Sequence, residues 1–214
     1  MKKTYPVIAK EGWPFVALAF IVALVATLLH TPLIISVLLW LVFLFVLQFF
    51  RDPQRTPDVD PLDIVSPADG KVIVVEQTKN PYTDCDAIRI CVFMNVFNVH
   101  SNKSPYDGSI TDRQYVAGSF LNAALDKAAL ENERNAIMMS TQHGNITFVQ
   151  IAGLIARRIL CYADVGDTLQ KGQRYGFIRF GSRVDVYLPL DVTVKVSIGD
   201  TVKSALTPIA TFKS

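Results

Sequence analysis

Charge is absent from one long stretch of this chain. Between Gly12 and Phe50 there is no Lys, Arg, Asp or Glu, which excludes an ordinary soluble fold for that segment. Cysteine is scarce: Cys85, Cys91 and Cys161 are odd in number and lack CxxC spacing. A disulfide framework and a zinc site are thereby excluded, and free thiols in a reducing compartment are expected. No metal is expected. The body also lacks net charge. With Lys2, Lys3, Lys10 and Glu11 in the first 50 residues, residues 51–214 keep 18 basic and 18 acidic side chains. Such a body has no broad field for nucleic acid, so an anionic ligand must be met by locally placed cations. Histidine is scarce as well, with His30, His100 and His143 the only three.

The uncharged stretch is too long for one span. At about 1.5 Å per residue it exceeds a hydrocarbon core of roughly 30 Å by nearly twofold. It divides at His30-Thr31-Pro32, because Pro32 disfavours helical geometry at Thr31. Two short apolar helices are predicted, Trp13–Leu29 and Leu33–Phe50. No small-residue cleavage site follows, which argues against a secretory signal. Lys2, Lys3 and Lys10 precede the pair while Arg51 and Arg55 follow it. Basic flanks on both sides favour a hairpin with both ends cytoplasmic, with a re-entrant hairpin as the competing geometry. Either way the body is expected at the cytoplasmic face of the cell membrane, where it meets lipid.

Arg51 to Pro67 holds Pro53, Pro57, Pro61 and Pro67 and reads as an extended linker. Beyond it, Val- and Ile-rich runs at Lys71–Glu76, Ile88–Met94, Asn145–Ile151, Arg158–Tyr162, Val184–Leu188 and Val192–Val196 predict strands. Ser119 to Asn135 is the one stretch with good helix formers, weakened by Asn122 and Asn132. Val165-Gly166-Asp167-Thr168-Leu169 returns 33 residues later as Ile198-Gly199-Asp200-Thr201-Val202. This turn-then-strand unit resembles the half-motifs of the barrel-sandwich folds of biotinyl and lipoyl carrier domains. The expected fold is mainly β (α+β): a barrel-sandwich-like body with a Gly-Asp hairpin repeat, residues 51–214, behind an apolar helical hairpin, residues 1–50.

The chemistry centres on Arg179-Phe180-Gly181-Ser182-Arg183-Val184-Asp185. A Gly-Ser pair is most often a β-turn. It also permits a specific reaction, because glycine leaves its carbonyl unshielded and the following serine hydroxyl can attack it. The chain then passes from amide to ester. A base removes the serine α-proton, the acyl group is expelled, and the dehydroalanine left behind hydrolyses to ammonia and a pyruvoyl group. That sequence needs a base near Ser182 and a carboxylate to orient it. His30 lies in the hairpin, and His143 falls in a hairpin-turn sequence, Gln142-His143-Gly144, so His100 at the end of an apolar strand is preferred. Asp69, in Ser66-Pro67-Ala68-Asp69-Gly70-Lys71, is the carboxylate candidate, its ordinary role being a turn residue.

Four segments in order, Ser-Pro-Ala-Asp-Gly-Lys at 66–71, Phe-Met-Asn-Val-Phe-Asn-Val-His at 93–100, Gln-Ile-Ala-Gly-Leu-Ile-Ala-Arg-Arg-Ile at 150–159 and Phe-Gly-Ser-Arg-Val-Asp at 180–185, closely resemble the short, compact branch of the phosphatidylserine decarboxylase family. Asn132-Glu133-Arg134-Asn135 resembles a further family segment. The resemblance implies self-cleavage at Gly181-Ser182, with Asp69, His100 and Ser182 acting in it. It implies a β chain of residues 1–181 and an α chain of residues 182–214, which stay associated. The implied cofactor is pyruvate, as a covalent pyruvoyl group made from Ser182 that forms a Schiff base with a serine-headed phospholipid. Decarboxylation of phosphatidylserine to phosphatidylethanolamine and CO2 follows from it, with no added cofactor. Long members of the family have a second histidine where this chain has Lys103, so His100 is left to serve both stages or to share them with Lys103 or a water. Arg157, Arg158, Arg179, Arg183 and Lys71 are candidate contacts for the lipid phosphate. A homo-oligomer is left open.

Two rival readings have weaker support. Asp126-Lys127-Ala128 mimics a lipoyl attachment motif but is remote from both Gly-Asp repeats. A serine hydrolase would want a Gly-x-Ser-x-Gly elbow, which is missing around Ser182.

Overall fold

The computed structural model describes residues 5–124, 128–154, 158–179 and 182–213. The chain forms two compact units, Met1–Gln54 and Arg55–Ser214. In the first, α1 (Trp13–Leu28) and α2 (Leu33–Phe49) are joined by a turn in which His30 takes φ 54°. Pro14 opens α1 and Pro32 caps α2, places where a missing N–H costs no helical bond. Trp40 Nε1 donates to Thr27 Oγ1 across the pair (3.1 Å), and Phe20 packs on both Trp40 and Phe43. Most of the remaining Leu, Ile and Val side chains of the pair are exposed. Helix α1 with the 3₁₀ turn before it, Lys10–Leu28, is long and apolar enough to cross a membrane, whereas α2 is shorter.

The second unit is built from fourteen strands and one short helix among the described residues: β1 (Asp63–Val65), β2 (Gly70–Lys79), β3 (Asp86–Met94), β4 (Ser101–Lys103), β5 (Gly108–Val116), α3 (Ala128–Glu131), β6 (Arg134–Thr141), β7 (Gly144–Ala152), β8 (Ile159–Cys161), β9 (Thr168–Leu169), β10 (Arg174–Ile178), β11 (Ser182–Leu188), β12 (Thr193–Val194), β13 (Thr201–Val202) and β14 (Pro208–Thr211). An eight-stranded sheet runs β13-β2-β3-β11-β7-β6-β5-β9, with smaller sheets β4-β10-β8 and β1-β14-β12. The main core joins Val92, Met94, Ile137, Met139, Phe148, Val184 and Val186 to Tyr175 and Ile178 of β10. A second cluster of Ala136, Met138, Val149, Ile151 and Tyr187 includes the alternate residues of the same strands. Strand β11 is consequently buried at every position.

The expected mainly β class is what forms, and the six predicted runs all lie on or overlap strands. Strands β5 and β6 were not anticipated. Strand β5 is largely polar with one face exposed, and β6 begins with Arg134 and Asn135, the end of the stretch expected to be helical. The helix expected over Ser119–Asn135 is reduced, among the described residues, to Ala128–Glu131. Asparagine side chains take over backbone partners there. Asn132 Oδ1 accepts from Leu121 N and its Nδ2 donates to the Leu121 and Ala152 carbonyls, while Asn122 Oδ1 accepts from Ala124 N.

The Gly-Asp repeat proves to be part of a larger duplication. Gly199 N donates to Val72 O while Val72 N donates to Asp200 O. Gly166 N and Ile110 repeat the same pair of bonds with Asp167 O. The two units therefore close opposite edges of the large sheet as β13 and β9, rather than forming stacked hairpins. Their partners are also duplicated: Ser66-Pro67-Ala68-Asp69-Gly70 leads into β2, and Ser104-Pro105-Tyr106-Asp107-Gly108 leads into β5. The two lead-ins exchange bonds, Val65 N to Pro105 O and Lys103 N to Pro67 O. Because β2 and β5 lie near opposite edges, this exchange requires the sheet to curl back on itself.

Near the pseudo-twofold axis, Gly172 and Ala205 occupy matching positions, with φ 76° and 64°. A Cβ at Gly172 would lie 2.6 Å from Pro57 and 3.2 Å from the Ala205 methyl, whereas one at Gly166 (φ 92°) would meet nothing. Gly166→Ala is therefore expected to cost about 1 kcal/mol of left-handed strain alone, and Gly172→Ala about 2–4 kcal/mol by adding overpacking. Thermal unfolding of the two variants checks the order, and equal losses would contradict the axis contact.

Candidate active site

Ser182 is the first residue of β11, opposite Met94 on β3 and Ala152 on β7. By parity its side chain shares the inner face with Val184 and Val186. It is fully buried, and its Oγ has no hydrogen-bond partner among the described residues. A buried hydroxyl left unsatisfied costs about 1–3 kcal/mol, which marks this oxygen as one held for something other than stability. Phe180 and Gly181 lie outside the described residues.

His100 reaches the same end of the sheet by another route. Strand β4 pairs with β10, and the His100 carbonyl accepts from Ile178 N (3.1 Å), four residues before Ser182. The ring is buried against Phe177, at 6.4 Å between centroids. Its Nδ1 lies 2.9 Å from the Asn98 carbonyl. A carbonyl only accepts, so Nδ1 carries the proton, and in the neutral ring Nε2 holds the basic lone pair.

Asp69 arrives from the turn before β2. Gly70 lies so close to the Phe93 carbonyl that a Cβ there would sit 2.1 Å from it, and Lys71 pairs with Phe93, itself opposite Arg183. The three segments thus converge on one end of the large sheet. Asp69 is not hydrogen-bonded to His100, however. Its Oδ1 and Oδ2 receive Arg55 Nη1 and Nη2 (2.9 Å for the second), and Oδ1 also takes the Ser204 amide at 2.8 Å. Arg55 further binds the Ser204 carbonyl and hydroxyl. Burial raises the pKa of the Asp69 carboxyl, but these donors and the guanidinium charge outweigh it and hold the group below its ordinary value. The contact that orients His100 is the Asn98 carbonyl, and the carboxylate is oriented by Arg55.

Two buried networks around the site were not anticipated. Asn135 Nδ2 donates to Gln150 Oε1 (3.0 Å), and Gln150 Nε2 donates to Asn102 Oδ1 (2.8 Å), two residues beyond His100. This amide chain ties β4 to the large sheet, and the Asn102 Nδ2 is buried without a partner. On the other face of β11, Arg183 Nε and Nη2 grip both oxygens of Asp185 (2.6 and 2.8 Å), and Nη1 donates to the Ala123 carbonyl at 3.2 Å. Arg183 is fully buried, which removes it from the candidate phosphate contacts. Arg158 is exposed, next to the half-buried Arg179, and Lys71 is exposed on β2; Arg157 and the lipoyl-like Lys127 lie outside the described residues. His143 sits in the exposed β6–β7 turn at the far end of the sheet from Ser182.

The Arg55–Asp69 pair, with side chains 12% and 9% exposed, yields a test. Arg55→Met leaves the carboxylate buried without its counter-charge, and a loss of about 3–5 kcal/mol is expected at neutral pH. In the unaltered chain the depressed Asp69 contributes stability above its ordinary value of 3.8 and loses it as pH falls through the lower folded value. In Arg55→Met the deficit should therefore shrink on acidification, as the carboxyl protonates. Unfolding measured from about pH 7 to about pH 3 checks this; a pH-independent deficit would contradict it.

Comparison with known proteins identifies the family. Residues 42–210 match the sequence pattern of the family described as phosphatidylserine decarboxylase. A protein of Ralstonia nicotianae named phosphatidylserine decarboxylase proenzyme is 55% identical over 215 residues, covering 98% of this chain and 99% of its own. Proteins of the same name from Burkholderia ambifaria and Aromatoleum aromaticum are 54% and 55% identical, over 98% and 96% of this chain and the same shares of their own. A match across most of the chain, and relatives alike from end to end, establish that it belongs to the phosphatidylserine decarboxylase family.

Proposed function

We propose that this chain is a proenzyme that cuts itself between Gly181 and Ser182 and then decarboxylates phosphatidylserine to phosphatidylethanolamine and CO2. The observation that carries this reading is the buried, partnerless Oγ of Ser182 at the head of a strand held on both sides, in a chain whose relatives are named proenzymes.

In the cut, Ser182 Oγ bonds to the Gly181 carbonyl carbon and the Gly181–Ser182 C–N bond breaks, giving an ester and a free Ser182 amine. His100, with Nδ1 held by Asn98, offers Nε2 as the base that takes the hydroxyl proton, passes it to the departing Ser182 nitrogen, and then takes the Ser182 α-proton. Loss of the α-proton expels Gly181 as a carboxylate and leaves dehydroalanine. One water then replaces the nitrogen as ammonia, leaving a pyruvoyl group on residue 182. Asp69, kept ionised by Arg55, supplies a fixed negative charge at the same end of the sheet that favours a positively charged intermediate or imidazolium. Lys103, buried beside the turn at Pro67, is a second proton carrier in this reading.

The surroundings suit a neutral ketone at position 182. Met94 and Ala152 flank it, and the Arg183–Asp185 pair with the two ladders of β11 holds the new chain start in place once it is cut. A pyruvoyl group supplies an electrophilic carbonyl that binds the substrate amine and accepts the electron pair released as carbon dioxide leaves. The α chain, residues 182–214, contributes β11 to β14 to all but the β4-β10-β8 sheet, so it stays with the β chain, residues 1–181. The uncharged α1–α2 pair fixes the chain to the cell membrane, with the basic flanks on the cytoplasmic side.

Denaturing intact-mass analysis is expected to show two chains, split before Ser182, with the smaller one lacking a free amino terminus. Ser182→Ala stays whole. His100→Ala slows cleavage by about 10²–10⁴-fold, the worth of a positioned base, without unfolding the body. A single uncut chain in active protein would overturn the reading.

A further inference from the structure

The end of the sheet that holds Ser182 also presents apolar side chains to solvent. Strand β3 ends at Met94 and β7 at Ala152, the two residues flanking Ser182, so the segments that follow emerge on either side of the site. At the tip of one is Phe97, 64% exposed, and at the start of the other is Leu154, 66% exposed. Phe97 is held at its tip: Asn95 Oδ1 accepts the Phe97 amide, Asn98 Oδ1 accepts the Asn95 amide, and Asn98 N donates to the Asn95 carbonyl. Cations lie at the ends of strands that follow these segments. Strands β8 and β10 bring exposed Arg158 next to Arg179, whose amide donates to the Arg158 carbonyl. Of the nearby carboxylates, Glu133 is buried and accepts from Ile159 N while Glu131 is exposed, and residues 95–99, 153–154 and 158–160 include no acid.

We propose that Phe97 and Leu154 insert into the surface of an anionic bilayer, docking the mouth of the site on the membrane from which its substrate is drawn. The proposal rests on the decarboxylase reading for the identity of that substrate. The ordered turn that carries Phe97, with exposed Leu154 and exposed Arg158 on the neighbouring segment, fits the acyl and headgroup layers of such a surface. A peptide partner would want an open sheet edge, and β11 is paired on both sides.

The test uses the full chain in vesicles containing phosphatidylserine. A photoreactive benzoyl-phenylalanine in place of Phe97 or Leu154 should label lipid acyl chains. The same group in place of Leu190, exposed beyond the opposite end of β11, should not. Phe97→Ser with Leu154→Ser should lower kcat/KM on vesicles by about tenfold or more, the scale expected for losing two buried apolar side chains, and leave turnover of monomeric short-chain phosphatidylserine unchanged. Phe97→Leu should restore most of the loss. Normal splitting before Ser182 and normal turnover of the short-chain lipid report the decarboxylase reading separately from docking. Equal labelling from position 190, an equal loss on both substrates, or a smaller detergent-solubilised particle in the double variant, which would assign the tips to a contact between copies, each overturns the proposal.

Discussion

Strand β11 is the constraint on which the rest of the structure depends. It is hydrogen-bonded along its length to β3 on one side and β7 on the other, and it is buried on both faces. That leaves its first residue, Ser182, with no freedom to drift. A nucleophile must sit within a fraction of an ångström of its target to benefit from proximity, and a central strand supplies that rigidity better than a loop. The Arg183–Asp185 pair serves the same end. Burial disfavours a charged guanidinium, but Asp185 outweighs that and keeps Arg183 protonated, so the pair clamps the outer face of the strand immediately behind the serine. Removing either partner would strand a buried charge.

The duplication explains how a carboxylate comes to be delivered to that end. Both Ser-Pro-x-Asp-Gly turns use the serine hydroxyl to reach a carbonyl two residues on, and both aspartates accept a backbone amide from the matching copy, Ser204 N for Asp69 and Lys171 N for Asp107. The copies then diverge. Arg55 enters the first and locks a buried Asp69, while in the second Asp107 stays exposed and Lys171 turns to the Asp60 and Pro61 carbonyls, over the ring of Tyr106. One copy of a structural turn thus carries a charge-fixed carboxylate at the end of the sheet where Ser182 lies.

Much of this was legible in the sequence, and the exceptions are instructive. The uncharged run and the Val-rich strands are local patterns that led to the right elements, while the Gly-Asp repeat led to edge strands rather than to the hairpins expected. The Gly181-Ser182 chemistry could be proposed from the sequence because it depends on adjacent residues alone. Arg55 was read only as a flanking charge of the helical pair, since nothing local links it to Asp69 fourteen residues later or to Ser204. The Gln150–Asn102 bond was hidden for the same reason: a buried glutamine in a hydrophobic strand shows its purpose only when the β4-β10-β8 sheet closes over it. The orienting partner of His100 also escaped the sequence, because it is a backbone carbonyl and any residue at position 98 would supply one.

The central claim is that residue 182 becomes the group that holds the substrate. Its most direct test is to incubate the protein with phosphatidylserine and a mild hydride donor, then weigh the separated chains. The account predicts that the lipid becomes covalently fixed to the chain of residues 182–214, at its first residue and with the mass of one carbon dioxide missing. Lipid attached to the larger chain, or turnover that the hydride donor never arrests, would contradict it.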